Sequence, residues 1–247
     1  MKRPVLCWLG CTTRLRAPRI AEATFKILHS LFPGEVTCLR DEELCCGRGA
    51  LCYGYVKELG GYVKRVVELI LNTNASLIVT PCPACYRTFA RDYRDIFGVK
   101  LPNVKHLTEI IAEAIKEGKL ALQGESMKGY RKVAYHDPCE LGRRMGVFEE
   151  PRFILRRLPG IELVEFEERM EDSLCCGGGG GIWGLHPEVS MAIASERLRE
   201  ARRLGVDAIV SACPQCYVNF RYASERYDIP IKVIDISQLV AESLAIP

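Results

Sequence analysis

Ten cysteines of this chain fall into two ordered sets. Cys11, the pair Cys45-Cys46 before Gly47, and Cys82-Pro83-Ala84-Cys85 form the first. Cys139, the pair Cys175-Cys176 before Gly177, and Cys213-Pro214-Gln215-Cys216 form the second. Equivalent cysteines lie 128 to 131 residues apart in unchanged order, the mark of an internal duplication. Five thiols per half limit the chemistry. A single free cysteine commonly serves as a small buried hydrophobe, but ten in a repeated register do not. A Cys-Pro-X-Cys turn brings two thiolates to one ion, and four saturate tetrahedral zinc. A fifth thiol exceeds that need, and adjacent cysteines point apart, which suits a centre of several metal atoms. An iron–sulfur cluster in each half is the leading expectation, with zinc in one half or both as the alternative.

The rest of the composition is that of an ordinary globular protein: 247 residues, 48% hydrophobic and 26% charged. Thirteen cysteines stand out against it. No run of about 18 apolar residues could span a bilayer, and the N-terminal MKRPVLCWLGCTTRLR lacks a signal-peptide pattern. A cytoplasmic location is expected, where surplus cysteine reads as metal or thiol chemistry rather than disulfides. The net charge of +3 is spread over interleaved acidic and basic residues. That leaves no electrostatic case for nucleic-acid binding or a polybasic membrane anchor.

The elements that must position these thiols alternate between strand and helix periods. Val5 to Leu9 and Glu35 to Leu39 read as strands, Leu77 to Thr80 as a third running into Pro81-Cys82, and a short fourth ends near His106. Ile20, Ala23, Ile27, Leu28 and Leu31 keep helical spacing, as do Val56, Leu59, Val63, Val66, Val67 and Ile70. Thr108 is expected to cap the last helix of the first half and Ser237 its counterpart, with Ile209 to Ser211 the third strand of the second half. PVLCWLGC (4–11) aligns with KVAYHDPC (132–139), LIVTPCPAC (77–85) with AIVSACPQC (208–216), and HLTEIIAEAI (106–115) with DISQLVAESL (235–244). The expected fold is α/β: two tandem duplicated domains, residues 1–118 and 132–247, joined by a polar linker at 119–131. Each would hold a small, mainly parallel sheet flanked by helices. Cysteines that follow strand ends then converge on the carboxyl edge of each sheet, near the domain interface.

The spacing of a Cys, 33 or 35 residues, Cys-Cys-Gly, 34 or 35 residues, and Cys-X-X-Cys resembles the cysteine-rich CCG-domain family over nearly the whole chain. The chain is similar there to the B-type subunit of heterodisulfide reductase and to the iron–sulfur subunits of glycolate, lactate and glycerol 3-phosphate oxidoreductases. The segment HDPCELGRRMGVFEEPR (136–152) resembles their second-repeat signature. The resemblance implies two non-cubane 4Fe-4S clusters. Cys11, Cys45, Cys46, Cys82 and Cys85 would hold one; Cys139, Cys175, Cys176, Cys213 and Cys216 would hold the other. It implies an oxidoreductase that reduces a disulfide, or oxidises thiols, between the clusters, with one electron from each. Implied partners are a ferredoxin-type iron–sulfur subunit, resembling the C-type subunit of heterodisulfide reductase, and a flavoprotein subunit, because this sequence has no ferredoxin-type cysteine run. Both Cys-X-X-Cys motifs are complete, a departure from the lactate-utilisation relatives. The alternatives are an electron-transfer subunit of a lactate-, glycolate- or glycerol-3-phosphate-type dehydrogenase without a disulfide substrate, and a zinc-binding scaffold.

Other residues carry weaker signals. His136, three residues before Cys139, is a candidate for hydrogen bonding beside the cluster or for proton delivery. His186 has a similar, lesser claim, and His29 reads as surface or packing. Arg14 and Arg16 follow Cys11 as Arg143 and Arg144 follow Cys139. Arg14, Arg143, Arg144 and Trp183 are candidates for substrate binding, against a solvated loop for the arginines and a core aromatic for Trp183. Cys7 and Cys38 read as strand core; Cys52 follows Cys-Cys-Gly closely, with approach to the first cluster the lesser of its readings. The GxGxxG match at 179–184 follows no strand and is not read as a nucleotide site; its glycines allow close backbone approach instead.

Overall fold

A computed structural model describes residues 4–123 and 129–244, so part of the expected linker, residues 124–128, lies outside the described residues. In the first half β1 (Val5–Cys7), β2 (Val36–Thr37), β3 (Leu77–Thr80) and β4 (Asn103–His106) pair in the order β2-β1-β3-β4. In the second, β5 (Lys132–His136), β6 (Glu162–Val164), β7 (Ala208–Ser211) and β8 (Lys232–Asp235) pair as β6-β5-β7-β8. Every pairing is parallel. β1 and β7 are buried along their whole length, as parallel strands covered by helices on both faces must be.

The helices of the first half are α1 (Cys11–Arg16), α2 (Pro18–Leu31), α3 (Arg48–Cys52), α4 (Leu59–Asn72), α5 (Pro83–Arg87), α6 (Tyr93–Phe97) and α7 (Leu107–Lys116). Those of the second are α8 (Gly142–Met145), α9 (Glu149–Arg157), α10 (Ile182–Leu185), α11 (Pro187–Arg203), α12 (Pro214–Arg226) and α13 (Ile236–Ser243). α4 buries Leu59, Val63, Val66 and Ile70, one stripe of a 3.6-residue period. Val56, expected in that helix, lies exposed in the turn before it.

Two helix starts differ from expectation. The cap of α7 is His106 and not Thr108, and that of α13 is Asp235 and not Ser237. His106 Nδ1 accepts from the Thr108 N–H at 3.3 Å, and Asp235 Oδ1 from the Ser237 N–H at 2.9 Å. Glu109 and Gln238 complete each capping box. Each cap is the last residue of its strand, already extended, so the helix begins without an intervening loop.

β2 and β3 flank β1, and β6 and β7 flank β5, so each sheet reverses its direction of growth beside its first strand. The crevice beyond the carboxyl ends there is where open α/β sheets bind ligands. The halves also share one buried core. α2 packs on α13, α7 on α9 and α1 on α12, each pair joining one half to the other.

Candidate metal centres

In the first half, β1 runs through Trp8-Leu9-Gly10 into Cys11, which opens α1. Gly10 has φ 82° and ψ 153°, a region open essentially to glycine alone. A Cβ there would lie 2.9 Å from Cys85 Sγ and 3.4 Å from Cys82 Cβ, so the backbone passes directly against the Cys-Pro-Ala-Cys turn. Cys82 is the N-cap of α5 and Pro83 its first residue. Proline presets the helical φ where its missing N–H has no intrahelical partner to lose. Cys85 follows at the third helical position, which shares a side of the first turn with the cap. Cys45 Sγ lies 3.7 Å from Cys11 Sγ. Gly47 turns the chain at φ 81° and aims its N–H at Cys45 Sγ, 3.4 Å away. The hydroxyls of Tyr62 and Tyr93 donate to the carbonyls of Cys45 and Cys46 at 2.7 and 3.1 Å, holding the pair.

The second half repeats the plan with different supports. Cys176 Sγ lies 3.0 Å from Cys216 Sγ, and Cys213 caps α12 ahead of Pro214. The N–H groups of Gly177 and Gly178 point at Cys175 and Cys176 Sγ, 3.3 and 3.4 Å away. Gly177 has φ 76°, and a Cβ there would meet the Ser190 carbonyl at 2.8 Å. Asn219 Nδ2 donates to the Cys176 carbonyl at 2.7 Å, the part the tyrosines play in the first half.

The sulfurs also interact electrostatically. Cys46 is pulled down to about 5 because Cys45 and Cys85 donate to it. Cys11 is pushed up by its hydrogen bond to Cys45 and by burial, and Cys85 by its bonds to Cys46 and Cys82 and by burial. Donation from Cys11 to Cys45 is outweighed by the bond to Cys46 and by burial, so Cys45 rises to about 11. In the second half, donation from Cys139 and Cys176 lowers Cys175, while Cys139, Cys176 and Cys216 all rise. Cys46 and Cys175 are thus the thiols favoured as thiolates, while the neighbours that rise ionise only with cationic charge among them. All thirteen cysteines lie among the described residues, and none is in a disulfide.

His136 is fully buried, and neither ring nitrogen has a hydrogen-bond partner among the described residues. It forms, with the Sγ atoms of Cys176 and Cys216, a group of ligand atoms all within 4.8 Å of one another. Burial, joined by the nearby Arg197, lowers it to about 3, so the ring is neutral near pH 7. Arg14 Nη1 donates to the Glu43 carbonyl at 2.5 Å, and Arg143 Nη1 to the carbonyl of Ser173, which holds the same register position. Both arginines therefore tie the segment after the first cysteine of each set to the approach of the Cys-Cys pair. Arg144 is exposed. Trp183 is half-buried in α10, with the Arg16 guanidinium 4.2 Å from its ring centroid. Cys7 is buried in β1, Cys38 sits half-buried just past β2, and Cys52 is exposed at the end of α3. His29 and His186 are exposed.

Several residues at the site escaped the sequence reading. The buried Glu43 carboxylate accepts from the Leu9 and Gly10 N–H groups at 2.9 and 2.8 Å. Glu140, beside Cys139, receives Arg48 at 3.1 Å and Arg87 at 3.0 Å from the other half, and Asp92 pairs with the same two arginines at 3.1 and 3.4 Å. Thr12 Oγ1 donates to Gln215 Oε1 at 3.3 Å, and the Tyr53 hydroxyl to the Gly181 carbonyl at 3.0 Å. The two cysteine-bearing edges thus touch at several points. The available signal was adjacency: Glu140, Arg48, Thr12 and Gln215 are all within two residues of a motif cysteine.

The family profile described as a cysteine-rich domain, CCG, matches residues 5–90 and 133–221. The D-type subunit of the dihydromethanophenazine:CoB–CoM heterodisulfide reductase of Methanosarcina acetivorans is 34% identical, over 99% of this chain and 60% of its own length. The B-type subunit of the CoM/CoB fumarate reductase of Methanothermobacter marburgensis is 31% identical, over 94% of this chain and 44% of its own length. The EtfAB:quinone oxidoreductase of Syntrophomonas wolfei is 32% identical, over 85% of this chain and 30% of its own length. The chain thus spans between 30% and 60% of the length of these relatives. The heterodisulfide reductase relative is of the D type, where the sequence reading expected the B type. Among the described residues no helix is long and apolar enough to cross a membrane.

Proposed function

The chain belongs to the cysteine-rich CCG-domain family, and from that membership we propose that it is an iron–sulfur redox subunit that reduces a disulfide, or oxidises the matching thiols. The observation that carries this reading is the five-sulfur donor set at the carboxyl edge of each sheet. Cys11, Cys45, Cys46, Cys82 and Cys85 would hold one non-cubane 4Fe-4S cluster, and Cys139, Cys175, Cys176, Cys213 and Cys216 the other. The residues fit such a group. In each set one thiol is pulled down as an anion while thiols beside it rise, and Gly10 leaves room for no side chain. The buried ring nitrogens of Trp8 and His136 lack hydrogen-bond partners among the described residues. Zinc fits less well, since it leaves the fifth thiol without a role.

When bound, the clusters would supply electrons one at a time. Reduction of a disulfide takes two electrons and two protons and yields two thiols. The electrons would come from a ferredoxin-type subunit resembling the C-type subunit of heterodisulfide reductase, itself fed by a flavoprotein, in a cytoplasmic complex. The chain's own part is to hold two centres in fixed relation, through the Arg48–Glu140–Arg87 clamp and the Thr12–Gln215 contact. Arg14 and Arg143 are committed to carbonyls of the scaffold, so the exposed Arg144, and Trp183 with Arg16 over its ring, are the candidates that remain to meet a substrate.

Anaerobic purification followed by iron, sulfide and zinc assays tests the reading. About eight iron and equivalent sulfide per chain are expected for two 4Fe-4S clusters; zinc alone refutes it. Addition of a disulfide to the reduced protein should then oxidise the centres as followed by EPR. Iron–sulfur centres that ignore every disulfide but pass electrons to a quinone would establish the electron-transfer alternative instead.

A further inference from the structure

Trp8 and His136 hold one register position, three residues before the first cysteine of each set. Trp8 directly follows β1 and His136 ends β5, the first strand of each half, and each ring meets a phenylalanine edge-on. Trp8 lies against Phe89 at 4.8 Å and 90°, His136 against Phe220 at 4.9 Å and 89°. Both phenylalanines follow the last cysteine of their set by one helical turn. Trp8 and His136 are fully buried, and Trp8 Nε1 and both His136 nitrogens have no hydrogen-bond partner among the described residues.

A buried N–H without an acceptor costs about 1–3 kcal/mol. Bearing that cost at the same position of both repeats implies an acceptor that the polypeptide does not itself provide. For His136 the direction is given, because a ring nitrogen lies within 4.8 Å of Cys176 Sγ and Cys216 Sγ. An indole N–H only donates, whereas a neutral imidazole can donate or ligate. The role common to both halves is therefore donation. A ligating histidine also normally passes its second N–H to a protein acceptor, and His136 has none among the described residues.

We infer that Trp8 Nε1 and one ring nitrogen of His136 each donate a hydrogen bond to a sulfur of the centre in their own half. The inference rests on the iron–sulfur reading above. Donation to sulfur stabilises the electron-richer, reduced state and raises the potential of the centre. Indole and imidazole differ as donors, so two matching cysteine sets acquire unequal potentials, and electrons a preferred direction between them.

The test uses the full chain, purified anaerobically, with Trp8→Phe and His136→Phe as variants. Redox titration followed by EPR reads the potentials, and ENDOR after exchange into deuterium oxide reads exchangeable protons at each centre. Each variant should keep its iron and sulfide, lose one exchangeable proton coupling, and shift one midpoint downward while leaving the other unmoved. Trp8→His and His136→Gln, which keep a side-chain N–H, should retain the coupling even where a phenylalanine variant fails to fold. Unchanged couplings and midpoints at full iron content overturn the inference. So does loss of iron from folded His136→Gln, which would make His136 a ligand. A parent protein devoid of iron and sulfide defeats the underlying reading and this inference together.

Discussion

Glu43 is a carboxylate only 6% exposed, and its two oxygens each accept one backbone N–H from the segment that leads into Cys11. Replacing it by alanine leaves the Leu9 and Gly10 N–H groups without acceptors in a buried turn. Two hydrogen bonds to a charged group, at about 1.5–3 kcal/mol each, set the gross loss. Removing the carboxylate also relieves its own desolvation, which raises its pKa above the ordinary value. The net cost of Glu43→Ala is then roughly 2–4 kcal/mol. At about 2–4 °C per kcal/mol for a chain of this size, Tm falls by roughly 4–16 °C. Because Gly10 also lies against Cys85 and Cys82, the first centre should lose iron before the second. Ser173 supplies the control: it occupies the same position, but its hydroxyl makes only long contacts of 3.5 and 3.4 Å. Ser173→Ala should cost less than about 1 kcal/mol. Calorimetry and iron analysis of both variants check the argument. It fails if Glu43→Ala is as mild as Ser173→Ala, or if both centres lose iron alike.

Cys46→Ser and Cys176→Ser should each remove about half of the iron, one centre out of two, as measured on protein purified anaerobically; full retention would contradict the ligand assignment. Burial lowers His106 to about 4 from an ordinary 6.5, so its stabilisation is complete above pH 6.5 and is lost as pH falls toward 4. That loss reaches about 3 kcal/mol, and urea denaturation of His106→Asn across this range should show a correspondingly flatter profile. Asp235, raised to about 6 by burial, has the opposite slope: its favourable contribution holds below pH 3.8 and is lost as pH rises through 6. Asp235→Asn should therefore stabilise the protein at pH 7 to 8, and a destabilised variant there would count against the assignment. Arg152, 2% exposed, grips Asp137 at 2.7 Å and Glu165 at 2.9 Å. Arg152→Met should cost about 3–5 kcal/mol by stranding a buried charge, with part recovered in a double variant that adds Asp137→Asn.

The duplication, the parallel sheets and the placement of ten cysteines beyond strand ends were legible because motif spacing and hydrophobic period are local properties of sequence. What escaped depended on contacts between segments distant in the chain. The caps moved from Thr108 and Ser237 to His106 and Asp235 because the strand ends decide which acceptor comes first. Those two side chains also reach the cysteine turns: His106 Nε2 lies 3.1 Å from the Pro81 carbonyl, and the Cys213 N–H favours the Asp235 anion. Glu140 looked like any charged residue after a motif cysteine until Arg48 and Arg87 arrived from the other half. Trp8 drew no notice within the Val5 to Leu9 strand, since nothing in a single sequence distinguishes a packed indole from one whose N–H lacks an acceptor.

Differences between the halves follow a physical rule. Where the first half has Gly10, whose N–H is held by Glu43, the second has Pro138, which has no N–H, and Ser173, which has no carboxylate. Donor and acceptor have changed together. Losing either alone would strand the other in a buried turn, at a cost of about 1–3 kcal/mol. At the preceding position Leu9 corresponds to Asp137, and that charge comes with Arg152 and Glu165. Such compensation preserves the five sulfurs while the supports diverge. An uncompensated difference therefore needs another explanation. Trp8 and His136 are such a pair, since neither change of ring brought a partner to its nitrogen among the described residues. Under the inference above, their partner is a sulfur of the centre that the repeated cysteine set of each half would hold.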